Sequence, residues 1–189
     1  MMLSQFKPSL GKRTLSELYH ESIGVSSVGR LDEDSEGLLL LTNDKHLSHY
    51  LLNPIYGHER SYLALVQGEI TEDALEKLRN GVRIRTKKKD YQTLPCKAER
   101  VSPPENLPER TPPLFISQKV KYSWIKLTLC EGKFRQVRKM TAKVGYPTLR
   151  LIRVEIGKFR LQDMQPGEIR SVSRFVMYRK LFGKKNNKK

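Results

Sequence analysis

The chain has little cysteine, no long apolar stretch and few acids. Its two cysteines, Cys96 and Cys130, make no disulfide framework and lack the spacing of a zinc site. The leucine run 38–41 falls far short of the ~20 apolar residues that span a bilayer. The opening residues, Met-Met-Leu-Ser-Gln-Phe-Lys-Pro, hold no apolar core of a signal peptide. Neither G-x-x-x-x-G-K-[ST] nor G-x-G-x-x-G occurs, so no nucleotide cofactor is expected. These absences lead us to expect a soluble protein of a reducing compartment, with no membrane partner. With 189 residues, 38% of them hydrophobic, the chain is too apolar for wholesale disorder and long enough for one domain with a sizeable core.

The shortage of acids is the informative one. Against 36 Lys and Arg stand 20 Asp and Glu, a net charge of +16, which points to a polyanionic partner. The excess is concentrated. Residues 133–160 hold nine basic residues and one acid, Glu155, for +8, and residues 179–189 hold six basic residues and no acid, for +6. The remaining +2 belongs to a nearly neutral body. The terminal segment 179–189 has almost nothing to bury and reads as a flexible basic tail, either a solubilising terminus or a salt-sensitive arm on nucleic acid. It follows a single domain expected over 1–178.

At 100° per residue, Phe134, Val137, Met140, Thr141 and Val144 share one arc of a helix. Arg135, Arg138, Lys139 and Lys143 share the opposite arc, which carries no acid and so reads as an anion-binding face. Gly132 and Gly145 punctuate its ends and Pro147 stops any continuation. Other helices are expected over 14–23, after the cap Asn43-Asp44 with Leu47, Tyr50 and Leu51 inward, and from Thr71 to Asn80 with Leu75 and Leu78 inward. Strands are expected over 25–28, 38–42 (buried on both faces), 60–67, 82–86 with its return over 94–101, 123–129 and 148–156. Five of the ten prolines fall in 103–113, an irregular loop. Strands and helices do not alternate regularly, which favours an α+β fold with a mixed, mostly antiparallel sheet flanked by helices.

One loop breaks the basic pattern. Between Gly29 and Gly37 lie Arg30, Asp32, Glu33, Asp34 and Glu36. These acids could be solvated loop residues, a hard-metal site without the glycine an EF-hand needs, or the seat of a catalytic carboxylate that a neighbouring arginine keeps ionised.

The residues themselves narrow this. Val28-Gly-Arg-Leu-Asp-Glu-Asp-Ser-Glu-Gly-Leu-Leu-Leu-Leu-Thr-Asn-Asp44 resembles the catalytic motif of RNA pseudouridine synthases of the RsuA branch. Arg60-Ser-Tyr62 resembles the family's [KR]-x-Y motif, and Glu131-Gly-Lys-Phe-Arg-Gln-Val-Arg-Lys-Met140 its E-G-x-x-[RH]-Q-V-R-R-M block. The segments 144–153 and 161–167 resemble the strands that follow. The likeness covers roughly 14–170. The Pro-Pro segment ahead of Ser123-Trp124-Ile125 is most similar to members acting on large-subunit (23S) ribosomal RNA. Two family features have no counterpart here: an S4-type RNA-binding domain, and a first strand ending in K-P-x-G.

The resemblance implies a cytoplasmic monomer with a cleft across the sheet, which isomerises a uridine of ribosomal RNA, free or in a pre-ribosomal particle. The chemistry needs neither cofactor nor metal. Asp32 would be nucleophile or base, Arg138 would pair with it and hold it ionised, and Tyr62 would stack on the uracil. Arg30 would enter the vacated base stack or grip a phosphate, and Arg135, Lys139 and Lys143 would hold the RNA backbone. A ribosome-assembly protein that keeps the fold without the reaction is the alternative, and a metal-dependent nuclease a third.

Overall fold

The structure is a computed structural model that describes residues 2–20, 23–86, 89–117 and 119–182. Its strands are β1 (Met2–Leu3), β2 (Arg13–Thr14), β3 (Ser26–Ser27), β4 (Glu36–Gly37), β5 (Leu41–Thr42), β6 (Arg60–Gln67), β7 (Arg83–Arg85), β8 (Asp90–Gln92), β9 (Lys97–Val101), β10 (Tyr122–Leu129), β11 (Thr148–Ile156) and β12 (Phe159–Arg160). The α-helices are α1 (Lys45–Leu52), α2 (Glu72–Asn80), α3 (Gln136–Lys143) and α4 (Arg174–Phe182), with 3-10 turns at Leu15–Glu17 and Pro54–Tyr56.

A central sheet runs β12-β11-β6-β10-β9, and β4 adds to the outer side of β11. Every pair along that path is antiparallel, and only β4 lies parallel to its neighbour. This is the expected α+β architecture with a mixed, mostly antiparallel sheet. β10 shows its logic most plainly. Ser123, Ile125, Leu127 and Leu129 are buried while Trp124, Lys126 and Thr128 are only partly covered, the period of two that a half-buried strand imposes. The buried face joins Ala64 and Val66 of β6, Leu75 and Leu78 of α2, and Val137 and Met140 of α3 in one core. A second cluster gathers Leu47 and Leu51 of α1, Leu38, Ile156 and Met177 of α4. Fully burying a leucine or isoleucine contributes roughly 1.5–3 kcal/mol, so these two clusters fix the helices that frame the site.

Several expected elements differ. The 14–23 helix reduces to the Leu15–Glu17 turn, closed by a Thr14–Glu17 capping box. The leucine run does not form one strand: Leu38 is drawn into the core, and only Leu41–Thr42 pair, with β3. The return of β7 is β8, whereas β9 pairs with β10. A short hairpin satisfies β7 locally, and the alternation of β10 offers the better partner to β9.

The first residues of the segment expected as a basic tail are helical. Residues 179–182 close α4, where Phe182 packs against Tyr178 and Tyr50 at ring-centroid distances of 5.0 and 4.3 Å. The Tyr178 hydroxyl donates to Asp44 Oδ2 at 2.6 Å, tying α4 to the cap of α1. The remainder of the tail call, 183–189, lies outside the described residues.

One carboxylate links three elements behind the sheet. Glu131 is 2% exposed and accepts from the Tyr91 hydroxyl (2.6 Å), Leu94 N (2.9 Å) and Gln136 Nε2 (2.7 Å). Its bond to Tyr91, followed by burial, pushes that phenol's pKa up to about 12. Glu131→Ala leaves three donors with no acceptor, and a buried unsatisfied donor costs about 1–3 kcal/mol. The variant should therefore lose at least about 3 kcal/mol of unfolding free energy in urea, whereas Glu99→Ala on exposed β9 should change it by under about 0.5 kcal/mol.

Candidate active site

The acidic loop leaves the β3–β5 hairpin and is tied down at both ends. At its start Ser4 Oγ accepts from Leu31 N (2.9 Å) and donates to Leu31 O (3.0 Å). At its end Leu38 N donates to Arg153 O at 2.8 Å. Gly37, at φ +104°, lies so close to β11 that a Cβ would sit 2.3 Å from Arg153 O, so only glycine permits the parallel pairing there. Between these anchors Asp32 O accepts from Ser35 N (2.9 Å), closing a tight turn. Asp32 and Asp34 are carried on that turn, with Asp32 Oδ2 a quarter exposed and 4.0 Å from Arg135 Nη1.

Arg135 is the residue that brings α3 to the loop. It sits just ahead of the helix in the left-handed region (φ 53°, ψ 38°), a conformation that costs a non-glycine residue about 1 kcal/mol or more. The return is a two-pronged ion pair: Nη1 and Nη2 donate to Asp34 Oδ1 and Oδ2 at 2.7 and 2.9 Å. Glu131 sets this geometry through Gln136, whose Oε1 accepts from Lys133 N (2.9 Å) while its amide nitrogen donates to Glu131.

Two expected roles change here. Arg138 does not pair with Asp32. Its Nη2 donates to Asp34 O (2.8 Å) and lies 3.3 Å from Asp34 Oδ2, while Nη1 donates to Thr148 O (3.1 Å). Its buried Nε has no partner among the described residues, and burial lowers its pKa. Arg135, expected to hold the RNA backbone, is engaged by Asp34 through both Nη atoms. Helical periodicity put both on one outer arc, and the left-handed residue at 135 turns that arc toward the loop. The same break leaves Phe134, expected on the buried arc, outside the helix and 52% exposed. Burial opposes ionisation of Asp34, but the Arg135 hydrogen bonds and the charge of Arg138 outweigh it and hold its pKa below the ordinary value.

Tyr62 stands on central β6 directly across from Arg153 of β11. Arg153 is 3% exposed. Its Nε donates to Leu38 O at 2.7 Å, its Nη2 has no hydrogen-bond partner among the described residues, and Tyr62 is the neighbour that most favours its charge against burial. One buried guanidinium thus joins the end of the acidic loop to the tyrosine. Arg60, also buried, donates to Leu51 O. Sequence reasoning placed Arg60 and Arg153 only as motif letters, and nothing in a strand sequence marks an arginine as buried.

The proline loop adds a further strap. Arg150 binds Glu36 through Nε and Nη2 (2.9 and 2.8 Å) and donates to Pro108 O (2.7 Å), and Arg110 Nε lies 3.5 Å from Glu36 Oε1. Arg30 is exposed and makes no ion pair among the described residues. Lys139 and Lys143 sit further along α3, away from the Asp32 turn. Among the described residues no three His, Cys, Asp or Glu side chains group as a metal site.

An acidic turn faced by helix-borne arginines, with a tyrosine on the central strand, is the arrangement that the sequence motifs describe, and the comparisons with known proteins agree. Residues 4–143 match the family described as RNA pseudouridylate synthase. The chain belongs to this family and is an RNA pseudouridine synthase, an isomerase. It is 43% identical over 171 residues to the ribosomal large subunit pseudouridine synthase E of Vibrio vulnificus, covering 90% of this chain and 70% of that one. It is 41% identical to the protein of that name from Xanthomonas axonopodis pv. citri, covering 87% and 85%. Against the ribosomal large subunit pseudouridine synthase B of Bacillus subtilis, identity is 34% over 77% of this chain and 53% of the relative. A crystal structure of a pseudouridylate synthase superposes with a TM-score of 0.73 at 24% identity, over 95% of this chain and 69% of that one, showing the shared fold.

The Asp34 pair has a pH signature. A carboxylate with a depressed folded-state pKa stabilises the fold above its unfolded pKa, about 3.9, and loses that contribution as pH falls through the folded value. The melting-temperature gap between wild type and Asp34→Asn should therefore be constant at neutral pH and shrink below about pH 4. A gap independent of pH would show that Asp34 contributes nothing through its charge.

Proposed function

We propose that this protein isomerises a uridine of large-subunit (23S) ribosomal RNA to pseudouridine, with Asp32 as the catalytic nucleophile or base. The identity to large-subunit enzymes over nine-tenths of the chain supports the substrate. The observation that carries the site is the turn at Asp32–Ser35, clamped to α3 through Asp34 so that Asp32 is left partly exposed beside a cation.

The reaction breaks N1–C1′ of the uridine and rejoins the ring through C5, with no net redox change and no group lost. The target nucleotide must leave its helix to present C1′. Asp32 then attacks C1′ or C6, or takes the C2′ proton. All three use the carboxylate oxygens of Asp32, whose Oδ2 stands 4.0 Å from Arg135 Nη1. Arg138 and Arg135 act chiefly through Asp34, holding the turn in register with α3. Arg138 Nε and Arg153 Nη2 remain as buried donors with no acceptor among the described residues, available to the polar atoms of the flipped nucleotide. Tyr62 offers its ring as the stacking surface for the uracil, an interaction worth about 1–3 kcal/mol per base, and Arg153 fixes its position. Exposed Arg30 enters the vacated stack or grips a phosphate, and Lys139 and Lys143 contact the backbone. No cofactor is required, and the protein works as a cytoplasmic monomer.

Mapping pseudouridine in large-subunit RNA incubated with wild type and with Asp32→Asn tests this. Wild type should modify a discrete site, and the variant should be slower by at least about a hundredfold while still binding the RNA. Equal modification by the variant removes Asp32 from the chemistry. RNA binding without isomerisation by wild type favours the ribosome-assembly reading.

A further inference from the structure

Past the catalytic turn, the cationic face of α3 meets the β7–β8 hairpin, and the two enclose an open trough lined by Arg83, Arg85, Asp90, Lys139 and Lys143. A second hollow continues from it past Arg83 and Lys143 to Lys77 and Asn80 at the end of α2. Arg83 and Lys143 belong to both, so the track is continuous.

Its charge is less balanced than that of several other surface regions. On those, exposed cations have acids beside them: Lys97 has Glu59, Lys121 and Arg100 have Glu69, and Arg170 has Asp163 and Glu168. In the trough one carboxylate serves two guanidiniums, with Asp90 3.3 Å from Arg83 Nε and 3.2 Å from Arg85 Nη1, both arginines being largely exposed. Lys77 is paired with Asp73 outside it. Lys143 has no ion pair among the described residues, and Lys139 lies over the Phe134 ring at 5.3 Å. Five cations against one lining acid, drawn out along a groove, match a ligand that repeats a single negative charge at intervals.

We infer that this trough is a second RNA-binding site, which grips the phosphodiester backbone flanking the target nucleotide, with Arg83 and Arg85 of the hairpin as its unassigned contacts. The inference rests on the reading of the substrate as RNA. Arginine suits the task, since its planar fork meets two phosphate oxygens at once. Each phosphate contact releases counterions, so the site has a measurable salt signature.

The test measures binding of an in-vitro transcript of large-subunit RNA across a series of KCl concentrations. Arg83→Gln/Arg85→Gln should lower the magnitude of the slope of log K against log [salt] by about 1.4, or about 0.7 per lost single-strand contact. Arg83→Lys/Arg85→Lys should keep most of it. Lys97→Gln/Arg100→Gln removes two charges on β9 that line neither hollow and should leave the slope unchanged. An unaltered slope in the hairpin variant, with its melting temperature intact, overturns the inference, as does an equal fall in the control. If wild type binds with the expected slope behaviour but isomerises no uridine, the proposed reaction fails and the trough stands.

Discussion

The site depends on a buried carboxylate that takes no part in its chemistry. Glu131 follows β10 by two residues and makes no ion pair among the described residues. It collects three hydrogen-bond donors from the hairpin side and from α3. A buried acid so placed is stable only while every donor stays in position, which makes the start of α3 a fixed point. Arg135 is then held in a backbone conformation that it would not choose alone, and its side chain, with that of Arg138, meets Asp34. The chain of dependence runs from a hydrogen-bond hub, through a strained residue, to the turn that carries Asp32.

Much of this was legible in the sequence, for definite reasons. β10 follows its alternation, and α1 and α2 follow their caps, because local pattern and tertiary burial agree there. The acidic loop was conspicuous as the one acidic stretch in a basic chain. What period and propensity missed were the places where a tertiary contact overrides local preference. The four leucines after Gly37 look like a strand, yet the close approach of Gly37 to Arg153 diverts the chain and splits the run. A helical wheel put Arg135 outward, since it takes no account of a left-handed residue at the helix start. Pairing Arg138 with Asp32 rather than Asp34 was a two-residue error within one turn, and only the hydrogen bond to Asp34 O resolves it. Arg153 went unnoticed because nothing in a strand sequence says that a guanidinium will be enclosed beside a tyrosine.

The acidic loop also shows how the neutral body and the cationic segments divide their work. Asp34 and Glu36 each engage arginines, Arg135 and Arg138 of the basic region at one, and Arg150 of that region with Arg110 of the proline loop at the other. These arginines hold the loop against β11 and α3. Since acids as well as cations are engaged there, the net charge of +16 is carried mostly by residues beyond the loop.

The two walls of the cationic trough meet at the same carboxylate. Tyr91 and Leu94 bring the hairpin to Glu131, and Gln136 brings α3. Hairpin and helix are therefore held to one anchor. An RNA strand lying in the trough as inferred above would reach the Asp32 turn at a spacing set by that anchor, so a target would be read by distance along the backbone as well as by its base.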